Sequence, residues 1–313
     1  MYDVTALGEV LVDFTLMETG TDGYPVLAAH PGGAPANFLA AVAKRGGRAA
    51  FLGKVGNDTF GRLLDRTLRE SGIDTSGLVI SEDTFTTLAF VTLDEEGNRE
   101  FSFARKPGAD TQLTTEEVRF DISDNTRLLH FGTLSLTNEP ARSTTYAAVR
   151  YAKQKGKLVS YDPNYRAPLW RTEQEAGEQM LKGLSLADVV KISDEEVEFL
   201  FGLSPQEGGH HILKNYPVRL VFVTCGARGC YFFNEKGEGY VPALPNLKVK
   251  DTTGAGDIFG GSAIWKLLEL GVAPEDLSKE QMEQIVRFAT RVAGLSTTRS
   301  GGISSVPSDE ELL

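Results

Sequence analysis

The chain has 313 residues, with 32 Lys and Arg against 43 Asp and Glu, and a formal net charge of −11. This charge argues against broad binding to nucleic acid or to an anionic membrane, because such binding needs clustered basic side chains. The two cysteines, Cys225 and Cys230, lie in an apolar stretch and imply no disulfide framework. The amino terminus lacks a basic leader, and no apolar run approaches the roughly 18 residues of a membrane span. We therefore expect a cytoplasmic protein without a membrane anchor.

Apolar strand-like runs alternate with amphipathic helical runs along most of the chain. The pattern predicts strands at 4–7, 50–55, 128–131, 158–161, 189–192 and 220–224, and helices at 36–44, 60–70, 142–154 and from 194 onward. Strands that alternate with helices of this length form parallel β-α-β units. We expect an α/β fold of three layers, with helices on both faces of one mostly parallel sheet.

One region departs from this alternation. Segments 10–16, 87–93 and 100–103 have strand patterns without helices between them, and the DEEGN sequence at 94–98 is typical of a hairpin turn. We interpret these strands as a small β-sheet lid, inserted at about 10–16 and 87–105 into a single domain that spans 1–313. A plain edge hairpin is the alternative. Because Leu88, Phe90, Phe101 and Phe103 would give an open lid an apolar face, we also expect a homodimer formed through it.

The sequence DTTGAGDIFGG at 251–261 places a carboxylate directly after small, flexible residues. Backbone N–H groups of Gly254, Ala255 and Gly256 can approach an anion closely, and the start of the following helix adds a partial positive charge. Asp257 would then lie beside a transferring phosphoryl group as a general base. The alternative is an ordinary Asp helix cap with a glycine hinge. The GxGxxxG spacing and late position do not fit a dinucleotide fingerprint, and no Walker A sequence occurs.

Polar and glycine-rich segments elsewhere suggest a sugar site. HPGGAPAN at 30–37 exposes backbone at Gly32 and Gly33 and places Asn37 one turn into a helix, as a hydroxyl-rich ligand requires. Asp13 lies between apolar neighbours and needs a partner if buried, which vicinal sugar hydroxyls or a local donor could supply. A Gly-Pro loop that only caps a helix is the alternative for 30–37.

Further residues follow the predicted strands. Arg166 comes after strand 158–161, and ligands of open α/β sheets bind beyond the carboxyl ends of the strands. Arg105 ends the last lid strand. TCGARG at 224–229 follows strand 220–224 and could pass close to ATP phosphates, or could be a plain β-turn. Glu196 could orient metal-bound water, or could only favour the start of its helix.

Together these segments resemble the ribokinase-like, or PfkB, family of sugar kinases over essentially the whole chain. GGAPAN with FLGKVGNDTFG resembles the amino-terminal signature of that family, and DTTGAGDIFGG resembles the carboxyl-terminal one. Within the family, GEVLVDF, EGNREFSFARKPGAD, DPNYRAPLW and KISDEEVEFL are similar to fructokinase sequences. The resemblance implies a ribokinase-like fold and ATP-dependent phosphorylation of D-fructose at its 6-hydroxyl.

The resemblance also implies a role for each site residue. Asp257 would be the catalytic base, and Gly254, Ala255 and Gly256 the anion hole. The implied sugar contacts are Asp13, Gly32, Gly33, Asn37, Phe103, Arg105 and Arg166, and the two arginines could instead bind the charge of the transferring phosphate. The implied nucleotide contacts are Asn164, Lys191, Ser193, Thr224, Gly226 and Gly229. Glu196 would order the water around Mg²⁺, and Asp251, Thr253 and Gly301 would form a K⁺ site. Ser193 stands where the family often has Asn, which affects only the details of metal hydration.

Other functions remain open at this point. A 2-keto-3-deoxygluconate kinase of the same family would pair its substrate carboxylate with Arg105 and Arg166. Ribose and nucleoside kinases have different lid sequences. A non-catalytic, kinase-like interaction protein would be expected to lose the GAGD sequence, which is intact here. A periplasmic sugar-binding protein would need a leader and would not need GAGD.

Overall fold

The computed structural model describes residues 1–93 and 99–312, and for 92, 93 and 99–101 it describes the backbone alone. The strands in chain order are β1 (Tyr2–Leu7), β2 (Leu11–Thr19), β3 (Pro25–Gly32), β4 (Ala49–Gly56), β5 (Ile73–Ser81), β6 (Leu88–Leu93), β7 (Arg99–Ala104), β8 (Thr126–Gly132), β9 (Leu158–Asp162), β10 (Val189–Ser193), β11 (Leu220–Thr224), β12 (Gly229–Asn234) and β13 (Gly237–Pro242). The helices are α1 (Ala34–Lys44), α2 (Thr59–Glu70), α3 (Phe120–Asp124), α4 (Ala141–Gln154), α5 (Glu173–Leu184), α6 (Asp194–Phe201), α7 (Pro205–Asn215), α8 (Ala255–Leu270) and α9 (Lys279–Ser296).

Nine of these strands form the main sheet, in the order β13-β12-β11-β10-β9-β8-β1-β4-β5. The seven from β11 to β5 are parallel, and β12 and β13 are antiparallel additions at one edge. Consecutive parallel strands separated by a helix confirm the predicted β-α-β units. A sheet of this kind brings the carboxyl ends of β9, β10 and β11 to one edge, where ligands bind.

Helices cover both faces of the main sheet, as predicted. Along β11, Leu220 and Phe222 pack with α1, α8 and α9, whereas Val221 and Val223 face the opposite way and pack with the layer of α4 to α7. Successive side chains of a strand point to opposite faces, so a strand buried on both faces is apolar throughout. This is why the LVFV run could be recognised from the sequence.

The remaining four strands form a second sheet, in the order β3-β2-β6-β7, with β2 and β6 parallel. It contains the three predicted lid strands, and the predicted turn at 94–98 lies outside the described residues. The structure adds β3, since the segment that was interpreted as a loop from His30 runs as a strand up to Gly32. Pro31 and Gly32 made this strand difficult to predict, because both residues are uncommon within sheets. Proline occurs in sheets mainly on edge strands, and β3 is such a strand.

Within the described residues, no helix has the length and apolar character needed to cross a bilayer. Both cysteines are free and buried. A cytoplasmic location, and the division of the chain into one domain with an inserted lid, stay predictions.

Candidate active site

The predicted anion hole lies at the start of α8. Gly254 is the N-cap residue and has a φ of 74°, a left-handed conformation that glycine adopts without strain. The N-cap glycine has no side chain that could cap this helix end. The Ala255 N–H donates to the Thr252 carbonyl over 3.2 Å, so an anion here would rely chiefly on the N–H groups that follow it. Asp257 is the third helical residue. The interpretation of Asp257 as the helix cap is therefore wrong.

Asp257 is buried, with 8% of its surface exposed, and each of its carboxylate oxygens accepts a hydrogen bond from an asparagine. Asn37 Nδ2 donates to Oδ2 over 2.9 Å, and Asn164 Nδ2 donates to Oδ1 over 3.1 Å. Burial raises the pKa of Asp257 above its ordinary value, while the Asn37 bond and the charges of Lys191 and Arg166 act against this rise. The group is thus a carboxylate suited to accept a proton.

A buried ion pair lies beneath the predicted anion hole. Lys191 Nζ donates to both oxygens of Asp162, at 3.0 and 3.2 Å. A Cβ atom built on Gly256 would lie 3.0 Å from Lys191 Nζ, so the ammonium lies directly under the first turn of α8. Burial opposes the charge of Lys191, but the Asp162, Glu196 and Asp257 carboxylates outweigh it and raise the pKa of this lysine. Its role as a nucleotide contact stays a prediction.

The predicted sugar residues meet on the lid side of Asp257. A Cβ built on Gly32 would lie 2.4 Å from Asp13 Oδ2, and Gly33 immediately precedes α1, which contains Asn37. Burial raises the pKa of Asp13 to about 7, with Arg166 lowering it and Asp257 raising it. The charges of Arg166 and Asp257 thus act on Asp13, and the charge of Arg166 also acts on Asp257. Phe103 is half-buried on β7.

Arg105, one of the implied sugar contacts, is already held by several protein partners. Its guanidinium is buried and donates from Nε and Nη2 to Asp110 Oδ2, at 2.8 and 2.6 Å. It also donates to Thr137 Oγ1 over 2.7 Å and to the Leu134 carbonyl over 2.9 Å. These four bonds use four of the five N–H groups of the arginine. A sugar contact from Arg105 stays a prediction, and it would have to use the remaining N–H group, on Nη1.

Sequence reasoning missed Glu9 in this region. Its side chain is buried, and Oε1 accepts a hydrogen bond from the Ala34 N–H at the start of α1, over 3.0 Å. Burial raises its pKa to about 7, with Arg105 lowering it. The signal was present in GEVLVDF, where an acid stands among apolar residues just as Asp13 does.

A cavity of about 600 Å³ lies on the other side of the predicted anion hole. The predicted nucleotide residues Thr224, Gly226 and Gly229 line it, together with Ala255 and Gly256. Its far wall was not predicted and consists mostly of apolar and small residues: Ala243, Leu244, Pro245, Asn246, Leu247, Val249, Thr290, Ala293, Gly294 and Thr297. Thr290, Ala293 and Gly294 share one face of α9, and Thr297 follows its last residue. The small side chains on that face leave room for a ligand. The size and lining suit a nucleotide.

The two predicted metal positions have different surroundings. Glu196 forms a capping box with Ser193 and also accepts from the Tyr165 N–H over 2.7 Å. Asp251 Oδ2 accepts from the Gly301 N–H over 3.0 Å, and Oδ1 accepts from the Thr253 N–H over 2.9 Å. The structure thus brings the three predicted K⁺-site residues together. In residues 1–93 and 99–312, no group of three or more His, Cys, Asp and Glu side chains could itself hold a metal ion.

Comparisons with known proteins agree with this geometry. Residues 1–309 match the pfkB family of carbohydrate kinases. The chain belongs to the PfkB carbohydrate kinase family. It is 38% identical to probable fructokinase-3 of Arabidopsis thaliana, over 99% of this chain and 90% of that protein, and 39% identical to fructokinase-1 of Zea mays, over 99% and 96%.

Solved structures give the same result for the fold. The fructokinase of Xylella fastidiosa with bound ATP is 30% identical, with a TM-score of 0.91 over 100% of this chain and 97% of its own. A fructokinase double mutant of Vibrio cholerae O395, bound to fructose, ADP and potassium, is 34% identical, with a TM-score of 0.86 over 99% and 97%. The ribokinase-like fold predicted from the sequence is confirmed. As a PfkB family member, this kinase is a phosphotransferase with an alcohol group as acceptor.

Proposed function

We propose that this kinase transfers the γ-phosphoryl group of ATP to the 6-hydroxyl of D-fructose. The observation that carries the proposal is the position of Asp257. This buried carboxylate lies in the first turn of α8, between the large cavity and the group formed by Asp13, Gly32 and Asn37. A sugar hydroxyl bound beside Asp13 would face a phosphoryl group held by the first turn of α8.

The proposed reaction is a direct, in-line transfer. The fructose 6-oxygen forms a bond to the γ-phosphorus, and the bond from that phosphorus to the β–γ bridging oxygen breaks, which leaves ADP. The hydroxyl proton passes to Asp257. The N–H groups at the start of α8 and the Lys191 ammonium beneath them supply positive potential where negative charge develops. The lid sheet would exclude water, which could otherwise accept the phosphoryl group.

The side chains fit the ions that the family resemblance implies. Glu196 accepts one backbone N–H on each oxygen, so each oxygen keeps a lone pair for water bound to Mg²⁺. Mg²⁺ bound with ATP would neutralise phosphate charge. Asp251, Thr253 and Gly301 surround the proposed K⁺ position, and a Vibrio cholerae fructokinase relative binds potassium.

Two structural features favour a neutral sugar over 2-keto-3-deoxygluconate. Most of the hydrogen-bonding capacity of Arg105 is used by Asp110, Thr137 and Leu134. Arg105 and Arg166 are therefore not both available to bind a substrate carboxylate. Asp13 and Asp257 also place two acidic groups next to the proposed sugar position. Ligand-bound fructokinase relatives support the same choice.

An ADP-release assay over a panel of sugars tests this proposal. The panel contains fructose, 2-keto-3-deoxygluconate, ribose, tagatose and glucose, each at a range of concentrations with saturating ATP and Mg²⁺. We expect fructose to have the highest kcat/KM. A higher kcat/KM for 2-keto-3-deoxygluconate would contradict the fructose assignment and would leave the family membership intact.

We also propose a homodimer that forms through the second sheet. Strands β2 and β3 expose Leu16, Met17, Val26 and Leu27, with Tyr24 just before β3. An apolar surface of this kind marks an interaction site. Light scattering at micromolar concentration should give twice the mass of the chain, and a monomer would contradict the proposal.

A further inference from the structure

The two asparagines that contact Asp257 come from separate parts of the fold. Asn37 lies in α1, and Asn164 follows β9, 127 residues later in the sequence. Their amide groups donate to different oxygens of one carboxylate, Oδ2 from Asn37 and Oδ1 from Asn164. One donor on each oxygen fixes both the position of the carboxylate and the rotation of its plane.

The backbone around Asn37 is shaped to hold its amide in place. A Cβ atom on Gly302 would lie 2.1 Å from Asn37 Oδ1, and one on Gly254 would lie 2.9 Å from Nδ2. Only 3% of the Asn37 surface is exposed, and its Oδ1 has no hydrogen-bond partner among the described residues. Reversing the amide would turn Oδ1 toward the Asp257 carboxylate, so the donor must face the acid.

Asn164 is held by its backbone. Its φ is 45°, in the left-handed region that asparagine adopts more readily than most other residues. Asn164 lies just after β9, which ends at Asp162. The next residue, Tyr165, donates its N–H to Glu196. The chain therefore keeps an unusual conformation at the residue whose amide reaches Asp257 Oδ1.

We propose that Asn37 and Asn164 are positioning residues, which hold the Asp257 carboxylate as an oriented anion facing the sugar hydroxyl. The inference rests on the proposed role of Asp257 as the base. A general base must point a lone pair at the proton that it accepts, and its geometry comes before its basicity. Asparagine suits this role because its amide donates without adding charge.

Charged groups around Asp257 cannot replace this pair of donors. They are Lys191 from β10, Asp162 at the end of β9, Arg166 from the segment after β9, Glu196 from α6 and Asp13 from β2. Three of the five are acids that oppose ionisation of Asp257, and the Lys191 ammonium is directed at Asp162. The neutral amides therefore supply orientation that this mixed set of charges does not.

Substitutions at position 164 test the proposal most cleanly. Asn164→Asp keeps the shape and tolerates the left-handed backbone, but replaces the donor with a second carboxylate. Asn164→Gly also suits that backbone and deletes the amide. We expect each to lower kcat about 10- to 100-fold, with the KM for the sugar changed less than about 3-fold. If packing alone mattered, Asn164→Asp would retain wild-type kcat, and that result would overturn the proposal.

A double-mutant cycle then shows whether the effect passes through Asp257. In an Asp257→Ala background, Asn164→Gly and Asn37→Asp should change the residual single-turnover rate by less than about 2-fold. An undiminished 10- to 100-fold loss in that background would contradict the inference. Asn215→Ala, which removes an exposed amide at the end of α7, is the matched control and should leave kcat unchanged.

The design separates this inference from the proposed function. The kinetics use whichever sugar the wild type phosphorylates fastest, so a wrong sugar assignment changes the substrate and nothing else. Full activity of Asp257→Ala would refute the base assignment, and the inference with it. ATP binding by calorimetry and a thermal unfolding curve identify variants that fail to fold. Asn37 and Asn164 come from separate segments, so if the variants at one position fail to fold, those at the other still test the inference.

Discussion

Replacing Glu9 by Gln should stabilise the protein at neutral and alkaline pH. Only 2% of the Glu9 surface is exposed, and its Oε1 accepts the Ala34 N–H over 3.0 Å. Burial raises its pKa from 4.5 to about 7 in spite of the nearby Arg105. Gln keeps the acceptor for Ala34 and removes the charge, while Arg105 keeps its bonds to Asp110.

The sign and size of the effect follow from proton linkage. Between pH 4.5 and about 7 the folded state holds the Glu9 proton more tightly than the unfolded chain does, so stability falls as the pH rises through this window. Above about pH 7, Glu9 is ionised in both states, and the loss of stability reaches its full size. The two pKa values differ by about 2.5 units, and at 1.36 kcal/mol per unit the cost reaches about 3 kcal/mol.

Urea unfolding of the wild type and Glu9→Gln at pH 5 and pH 8 measures this difference. We expect similar stabilities at pH 5 and an advantage of about 1–3 kcal/mol for the variant at pH 8. Glu235→Gln, in the exposed turn between β12 and β13, is the control and should follow the wild type at both values. A variant that is less stable than the wild type at pH 8 would refute the reasoning.

Two further predictions concern the sugar and the monovalent cation. Because burial raises the pKa of Asp13 to about 7, and its ionised form accepts more hydroxyl donors, calorimetric affinity for fructose should rise between pH 6 and pH 8. Asp13→Asn should flatten that rise, and an equally steep rise in the variant would contradict the role. Asp251→Ala removes the acceptor of the Gly301 and Thr253 N–H groups and should abolish activation by K⁺ in a comparison of K⁺ with Na⁺ salts. Retained K⁺ activation would exclude Asp251 from the cation site.

The sequence predicted those parts of the fold and the site that have a local sequence pattern, such as an apolar run or small residues followed by an acid. Strand β11 was predictable because both of its faces are buried, and the start of α8 because Gly254, Ala255 and Gly256 precede an acid. The far wall of the large cavity beside the start of α8 was not predictable. Its residues on α9 have small side chains that mark a space only once the helix is packed in place.

Long-range partners explain the remaining differences. The sequence placed Arg105 at the sugar, but its bonds to Asp110 and Thr137 depend on segments that meet only in the fold. Asn37 was assigned to the sugar and Asn164 to the nucleotide, and neither sequence pattern indicated that both would contact Asp257. The partners in these two hydrogen bonds are separated by 220 and by 93 positions in the chain. No local sequence pattern indicates a contact over such a separation.

The most direct test of the account is the turnover of Asp257→Asn. The substitution preserves the shape of a buried side chain but removes the proton acceptor from the start of α8. We expect fructose phosphorylation to fall at least about 1,000-fold, with ATP affinity within about 3-fold of the wild type. Near wild-type turnover by this variant would contradict the assignment of Asp257 as the base and the mechanism built on it.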